Sequence, residues 1–479
     1  MKLLVNAKIF SSKKSQSILI QNEKIIFIGD SKDINISCES LEIIDCENNS
    51  VLPGFIDGHC HPFETISNLS SIDLSKESFR SKKDICNFFK NIKFNKDIKL
   101  LKFHGFEHRY INSDLTLKFF DDLNINIPLI IKHRTGHIMF TNSLAIKYAD
   151  LNTKELKYPI NSIEIHKKFS DLSSEDFNNN TKIYNRNLIK FGYTTIVDAG
   201  ASNDISKFNK YKELKSEKYL SPNICYMVGS NHINELQNIN NKKELFIGPI
   251  KFMINECFDI GEIESLLKEC LSNSKNDVAF HAISSEMIFK IIHILYEKLP
   301  NYLSNRNIRL EHATEFIPEF YLKYKSKNLF LIYNPNFIYD HGDFYIDNQD
   351  EFEVSKLFNL AESVKKGFNI GLGTDAPFGN YNPFRMIYTA LNRITKNNNI
   401  IQSETKINIE DILKAYSLNN AKAINTDDTT GSISIGKNAD LIILNNDINN
   451  LCDDSEILNT KVIHTIINGT SEYVSSKVN

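Results

Sequence analysis

The sequence predicts an α/β protein built on a (β/α)8 barrel of the TIM type, with a small β-sandwich domain formed from both termini and a long insertion after the first barrel strand. Three observations predict it. Eight short apolar runs end abruptly in polar or glycine residues, and most are followed by a helical pattern, the alternation that builds a parallel sheet. Strand-rich texture lies at the two ends of the 479-residue chain. More than a hundred residues separate the first apolar run from the second, far beyond an ordinary strand-to-strand connection.

At the front, residues 17–20, a turn through 21–24 and residues 25–29 have the pattern of a hairpin. The same texture returns only in 439–444 and 461–469, so 1–50 and 425–479 are expected to form one composite β domain. The barrel is expected over 51–424. Its strands are placed at 52–61, 194–198, 224–228, 250–254, 278–281, 308–312, 329–333 and 370–375, with helices such as 260–272 and 353–366 between them. The insertion occupies about 64–190. Because it leaves the barrel at the C-terminal end of a strand, where such barrels carry their functional side chains, it is expected to cap the pocket.

A hydrophobic content of 41%, a charged content of 24% and a net charge of −3 describe an ordinary soluble protein and give no electrostatic footing for nucleic acid or an anionic membrane. A small-molecule substrate is the expectation, and self-association into a homo-oligomer stays open. Lys2, Asn6 and Lys8 interrupt the first ten residues before they can form the apolar core of a signal peptide. No apolar stretch approaches the ~20 residues of a spanning helix. The eight cysteines are dispersed without a close pair, which fits a reducing cytoplasm.

His59 and His61 stand at the end of the first barrel run. In a strand, residues i and i+2 share a face, so the two imidazoles can converge on one point while Cys60 packs behind them. That is half of a metal site. Later strands can complete it with Lys251, His281, His312 and Asp375, and imidazoles with a carboxylate suit zinc, iron, nickel or manganese. Such an ion brings the pKa of water from 15.7 to about 7, which is hydrolytic chemistry. In the insertion, His137 and Asn142 are candidate substrate contacts. Glu311 points away from His312 on alternation and is expected to pair with Arg309 on its own face. His104, His108, His133 and His341 have no partner that spacing identifies.

On GHCHP at 58–62, FHA around His281, LEHA around His312 and GTDAP around Asp375, the chain resembles the amidohydrolase superfamily over nearly its whole length. Residues 415–421 and 431–441 resemble that superfamily's closing helix and its return to the small β domain. The RTGH and TNSLA strings of the insertion resemble the branch that contains N-substituted formamide deformylases. The resemblance implies a barrel metallohydrolase in which His59, His61, His281, His312 and Asp375 bind one or two divalent metal ions, zinc foremost. It also implies a place for Lys251, since in relatives with paired ions a fourth-strand lysine is carboxylated by carbon dioxide and bridges them. An unmodified ammonium offers donors and no lone pair, and would lie outside the metal's ligand set.

The expected reaction is hydrolysis of a carbon–nitrogen bond other than a peptide bond, in a small amide, formamide or cyclic amide. Hydroxide activated by the metal would attack the carbonyl, and Asp375 would take its proton and pass it to the departing nitrogen. One rival is a deaminase of an aminated heterocycle; deaminases of this superfamily add a glutamate soon after the fifth-strand histidine, and here Glu286 follows His281 late. The other is a non-catalytic barrel scaffold. Relatives of that kind lose ligands, whereas all five of the strongest are present here.

Overall fold

The computed structural model describes the chain except residues 11–13, 35–40, 76, 78, 95–97, 112, 137, 153–156, 162–172, 237–238, 240, 255–257, 402–405 and 476–479. Eight parallel strands make the barrel sheet and neighbour one another in chain order: Phe55–Cys60, Tyr193–Asp198, Asn223–Gly229, Leu245–Phe252, Val278–Ala282, Ile308–His312, Leu329–Tyr333 and Asn369–Leu372. Strands covered on both faces read as continuous apolar runs, and Asn223–Gly229 and Leu329–Tyr333 are buried at every position.

The apolar run expected as one strand over 52–61 is two. Ser50–Pro53 belongs to the terminal sheet, and Phe55–Cys60 opens the barrel. Gly54 makes the break: its N–H donates to Asp440 O, and a Cβ there would stand 2.1 Å from Thr194 Cγ2, so only glycine passes.

The first and eighth strands meet along a seam stitched largely by side chains. Asn420, on the helix Leu418–Ala423, donates to Ile56 O and to Leu372 O, both at 2.7 Å. The Asp57 carboxylate accepts from Thr374 N at 2.8 Å and Thr374 Oγ1 at 2.6 Å, and Asp375 N–H donates to His59 O at 2.7 Å. Gly373 lets the strand ends approach, since a Cβ there would sit 2.6 Å from His59 N. The seam therefore fixes His59 and Asp375 to one another through backbone.

Strands from both chain ends share a second sheet, in the order Thr470–Val474, Val462–Ile467, Leu441–Leu444, Ser50–Pro53, Lys2–Ile9, Gln16–Gln21, Lys24–Gly29, with Glu42–Asp45 beside Lys2–Ile9. Lys2–Ile9 is shared between two groups. Its start pairs with Gln16–Gln21 and Glu42–Asp45, and its end pairs with Ser50–Pro53. Leu4, Ile18, Ile20, Val51, Leu441 and Ile466 form the core of this sheet. It belongs with the barrel to one compact unit, Met1–His61 with Asn185–Asn479.

Pro62–Tyr184 is a unit of its own. Its five-stranded sheet runs in the order Ile160–Asn161, Ile138–Thr141, Leu129–His133, Leu101–Phe106, Ile72–Asp73. Phe79, Phe89, Phe103, Phe106, Phe120 and Phe140 build a separate aromatic core under that sheet.

The single helix expected over 353–366 is two helices, Glu351–Lys356 and Leu360–Lys365. Buried Arg393 reaches between them, donating to Leu357 O at 2.8 Å and Phe358 O at 2.9 Å, and Phe358 adopts φ 50°. Those carbonyls are unavailable to a continuous helix. No helix among the described residues is long and apolar enough to cross a membrane.

Candidate metal centre

His59 is the fifth residue of the first barrel strand and is buried, while His61 lies just beyond the strand and is partly exposed. Both direct Nε2 at one oxygen of Asp375, at 3.4 Å for His59 and 3.0 Å for His61. Asp375 follows the eighth strand with φ 53°, and His312 ends the sixth strand with φ 72°. Left-handed backbone at a residue other than glycine costs of order 1–3 kcal/mol, and here it occurs at two of the expected ligands. His312 Nδ1 is 3.9 Å from the second Asp375 oxygen, and its ring lies 4.8 Å from the rings of both His59 and His281. The strand ends thus gather His59, His61, His281, His312 and Asp375.

Surrounding groups fix which imidazole nitrogen carries the proton. Glu311 accepts from His59 Nδ1 at 2.6 Å. Arg309 holds that glutamate from behind, donating from Nε to Oε1 at 2.7 Å and from Nη2 to Oε2 at 3.1 Å, and Nη2 also reaches Gly58 O at 2.6 Å. Asn334 donates to Gly373 O, so its amide oxygen faces His312 Nδ1 at 2.8 Å and must accept. In both histidines Nε2 is left with its lone pair. Burial, reinforced by Lys251, lowers the His59 pKa to about 3, so the ring is neutral and its one N–H is spent on Glu311.

The donor set fits a cation. A lone pair on His59 Nε2 facing a carboxylate oxygen at 3.4 Å is repulsive unless a positive charge lies between them. Asp375 is ionised: against the upward push of burial, the hydrogen bond from His61 holds its carboxyl below the usual carboxylate range. Neutral imidazole and ionised carboxylate are the forms that bind divalent metal. Lys251, on the fourth strand, is 3% exposed, and its Nζ has no hydrogen-bond partner among the described residues. Burial, aided by Arg309, lowers its pKa to about 8 against the opposing charges of Glu311 and Asp375.

The sequence profile of the amidohydrolase family matches residues 42–473. The chain belongs to the amidohydrolase family. This amidohydrolase is 21% identical to the N-substituted formamide deformylase of Arthrobacter pascens, over 96% of its own length and 95% of that protein's. Among solved structures it is similar to an uncharacterized metal-dependent hydrolase from Pyrococcus horikoshii, with a TM-score of 0.74 and 20% identity, covering 93% of this chain and 97% of that one. It is also similar to the atrazine chlorohydrolase of Arthrobacter aurescens complexed with zinc, with a TM-score of 0.59 and 12% identity, covering 99% and 95%. These structural likenesses show the shared fold.

Elsewhere in the amidohydrolase, Asn142 has a different place from the one its sequence suggested. Its side chain caps the helix Ser143–Tyr148: the amide oxygen accepts from Ala145 N and Leu129 N at 3.0 Å each, and the amide nitrogen donates to Ile127 O at 2.9 Å and Ile125 O at 3.4 Å. Both ends of the amide are used on backbone and the residue is buried, which corrects the expectation that it touches substrate. Asn142→Ala is expected to cost the insertion about 2 kcal/mol through the lost cap and the unpaired carbonyls, read as faster hydrogen exchange in 143–148. A stability change under ~0.5 kcal/mol together with a raised KM would restore the substrate role.

His137 lies outside the described residues. Cys60 is buried with its Sγ 3.4 Å from Val197 O, in keeping with a packing role. Glu311 forms the expected pair with Arg309, and sequence reasoning missed its bond to His59, a contact across the barrel that alternation along one strand cannot reveal.

Proposed function

We propose that this amidohydrolase is a metal-dependent hydrolase that cleaves a carbon–nitrogen bond outside the peptide class, in a small formamide, amide or cyclic amide. The observation that carries this reading is the pair of neutral imidazoles, His59 and His312, each with Nδ1 engaged by a neighbour and Nε2 left with its lone pair, that of His59 facing ionised Asp375 at 3.4 Å. His59, His61, His281, His312 and Asp375 would hold one or two divalent ions, zinc foremost, and the full-length likeness to a formamide deformylase supports the substrate class. Bound there, a divalent ion supplies Lewis acidity toward a carbonyl oxygen and acidifies water at neutral pH.

The chain's own residues supply the rest. Asp375 takes the proton lost by the attacking water and delivers it to the departing nitrogen, as a general base and then a general acid. Glu311 and Asn334 hold the histidine rings in one tautomer so that they orient without titrating. Lys251, depressed to about 8, has neutral amine available at neutral pH; addition of carbon dioxide to that buried amine, with loss of one proton from the nitrogen, would give an anionic carbamate. A reducing, cytoplasmic setting goes with this reading, as the described cysteines are free thiols.

Glu286 bears on the deaminase alternative. It sits in the first turn of the helix Ser285–His293, its side chain is 62% exposed, and it pairs with Lys290 at 2.7 Å. A glutamate spent on a helix surface is poorly suited to protonate a ring nitrogen. The test is a screen of the zinc-loaded full chain against small formamides, amides, cyclic amides and aminated heterocycles. Release of formate or another carboxylate with its amine is expected. Ammonia from heterocycles alone would favour the deaminase, and no turnover by folded, metal-replete protein would favour the scaffold.

A further inference from the structure

The exit of the seventh barrel strand carries two buried asparagines, Asn334 and Asn336, and both reach across to the backbone leaving the eighth. Asn334 Nδ2 donates to Gly373 O and Asn336 Nδ2 donates to Thr374 O, each at 2.7 Å. The ladder between the strands ends at Tyr333 and Leu372, so these amides continue the pairing past it. Asn334 has its second partner in His312. We propose that Asn336 is a positioning residue for the hydrolysis: by holding the Thr374 carbonyl, it sets the direction in which Asp375 presents its carboxylate. The assignment rests on the proposed role of Asp375 as proton carrier.

Thr374 O and Asp375 N belong to one planar peptide, and that plane is held at both edges. Its carbonyl accepts from Asn336, and its N–H donates to His59 O at 2.7 Å. On the other side of the Asp375 Cα, the next carbonyl accepts from Phe378 N at 2.8 Å and Gly379 N at 3.2 Å. Both flanking planes are fixed. Asp375 therefore keeps φ 53°, a left-handed backbone that a residue other than glycine retains only where its surroundings impose it. Without Asn336, the first plane has one anchor instead of two.

Two observations set this apart from ordinary packing. Asn336 Oδ1 is buried with no hydrogen-bond partner among the described residues, so the side chain is kept for its donor while its acceptor is left stranded. Reversing the amide would set that oxygen against Thr374 O. In addition, a Cβ at Gly379 would stand 1.8 Å from Asn336 Nδ2 and 2.4 Å from Thr374 O, wedged into the hydrogen bond. Gly379 is not one of the left-handed glycines, so space and not backbone freedom calls for it.

The test compares the full-length parent with Asn336→Leu, which removes the donor at similar volume, and Gly379→Ala, which intrudes on the same hydrogen bond from the other side. In each variant kcat should fall by about 10²-fold with KM and bound zinc close to the parent's, the signature of misplaced chemistry. Crystal structures of the metal-free proteins read the same point without substrate. Asp375 should leave φ 53°, and its carboxylate should move off the point where His59 and His61 converge. Asp375 unmoved in the variants, or moved with kcat unchanged, would overturn the proposal. A parent that turns over no substrate would defeat the hydrolase reading, while the crystal comparison would still decide whether Asn336 aims Asp375.

Discussion

Asp375→Asn is expected to lower turnover by about 10²- to 10⁴-fold while most of the metal stays bound. The amide keeps an oxygen at the point where His59 and His61 converge, 3.4 and 3.0 Å from the present carboxylate oxygen, but it cannot accept a proton. The backbone seam should hold the residue in place, because Asp375 N–H still donates to His59 O. His281→Ala should differ by losing metal as well as activity, so metal analysis beside kinetics separates a proton carrier from a ligand. An asparagine variant with bound metal and near-parental turnover would remove Asp375 from the role of base.

Arg309→Met is expected to cost about 3–5 kcal/mol of stability, measured by urea denaturation, because it leaves the Glu311 charge buried and uncompensated. Both side chains are wholly buried, and Arg309 gives Glu311 two hydrogen bonds. Pairing the change with Glu311→Leu should restore much of the stability, since a buried ion pair replaced by apolar side chains is often close to neutral. It should not restore the metal site. With Glu311 gone, His59 Nδ1 loses its acceptor, and metal affinity should stay about 10- to 100-fold below that of the parent. A single variant within ~1 kcal/mol of the parent would show that the pair adds little to folding.

The barrel was legible because its parallel strands are buried on both faces and read as uninterrupted apolar runs, such as Leu329–Tyr333, expected and observed over the same residues. The candidate residues were legible as strand-end positions because barrel chemistry gathers at strand ends, and His59, His312 and Asp375 all lie there. What escaped were contacts between distant segments. Arg393 divides a helix some 35 residues before it, Asn420 stitches the first strand to the eighth, and Glu311 reaches His59 from a strand about 250 residues away. Local periodicity records which face a side chain takes and not what lies opposite. Asn142 erred for a related reason: Asn142-Ser143-Leu144-Ala145 is also a helix N-cap pattern, and the cap is what the fold uses.

The most direct measurement is metal per chain with and without His59→Ala/His61→Ala. The barrel reading predicts one or two ions per chain with both histidines present and close to none without them, the far-ultraviolet circular dichroism being unchanged. Equal metal content in the two proteins would contradict it.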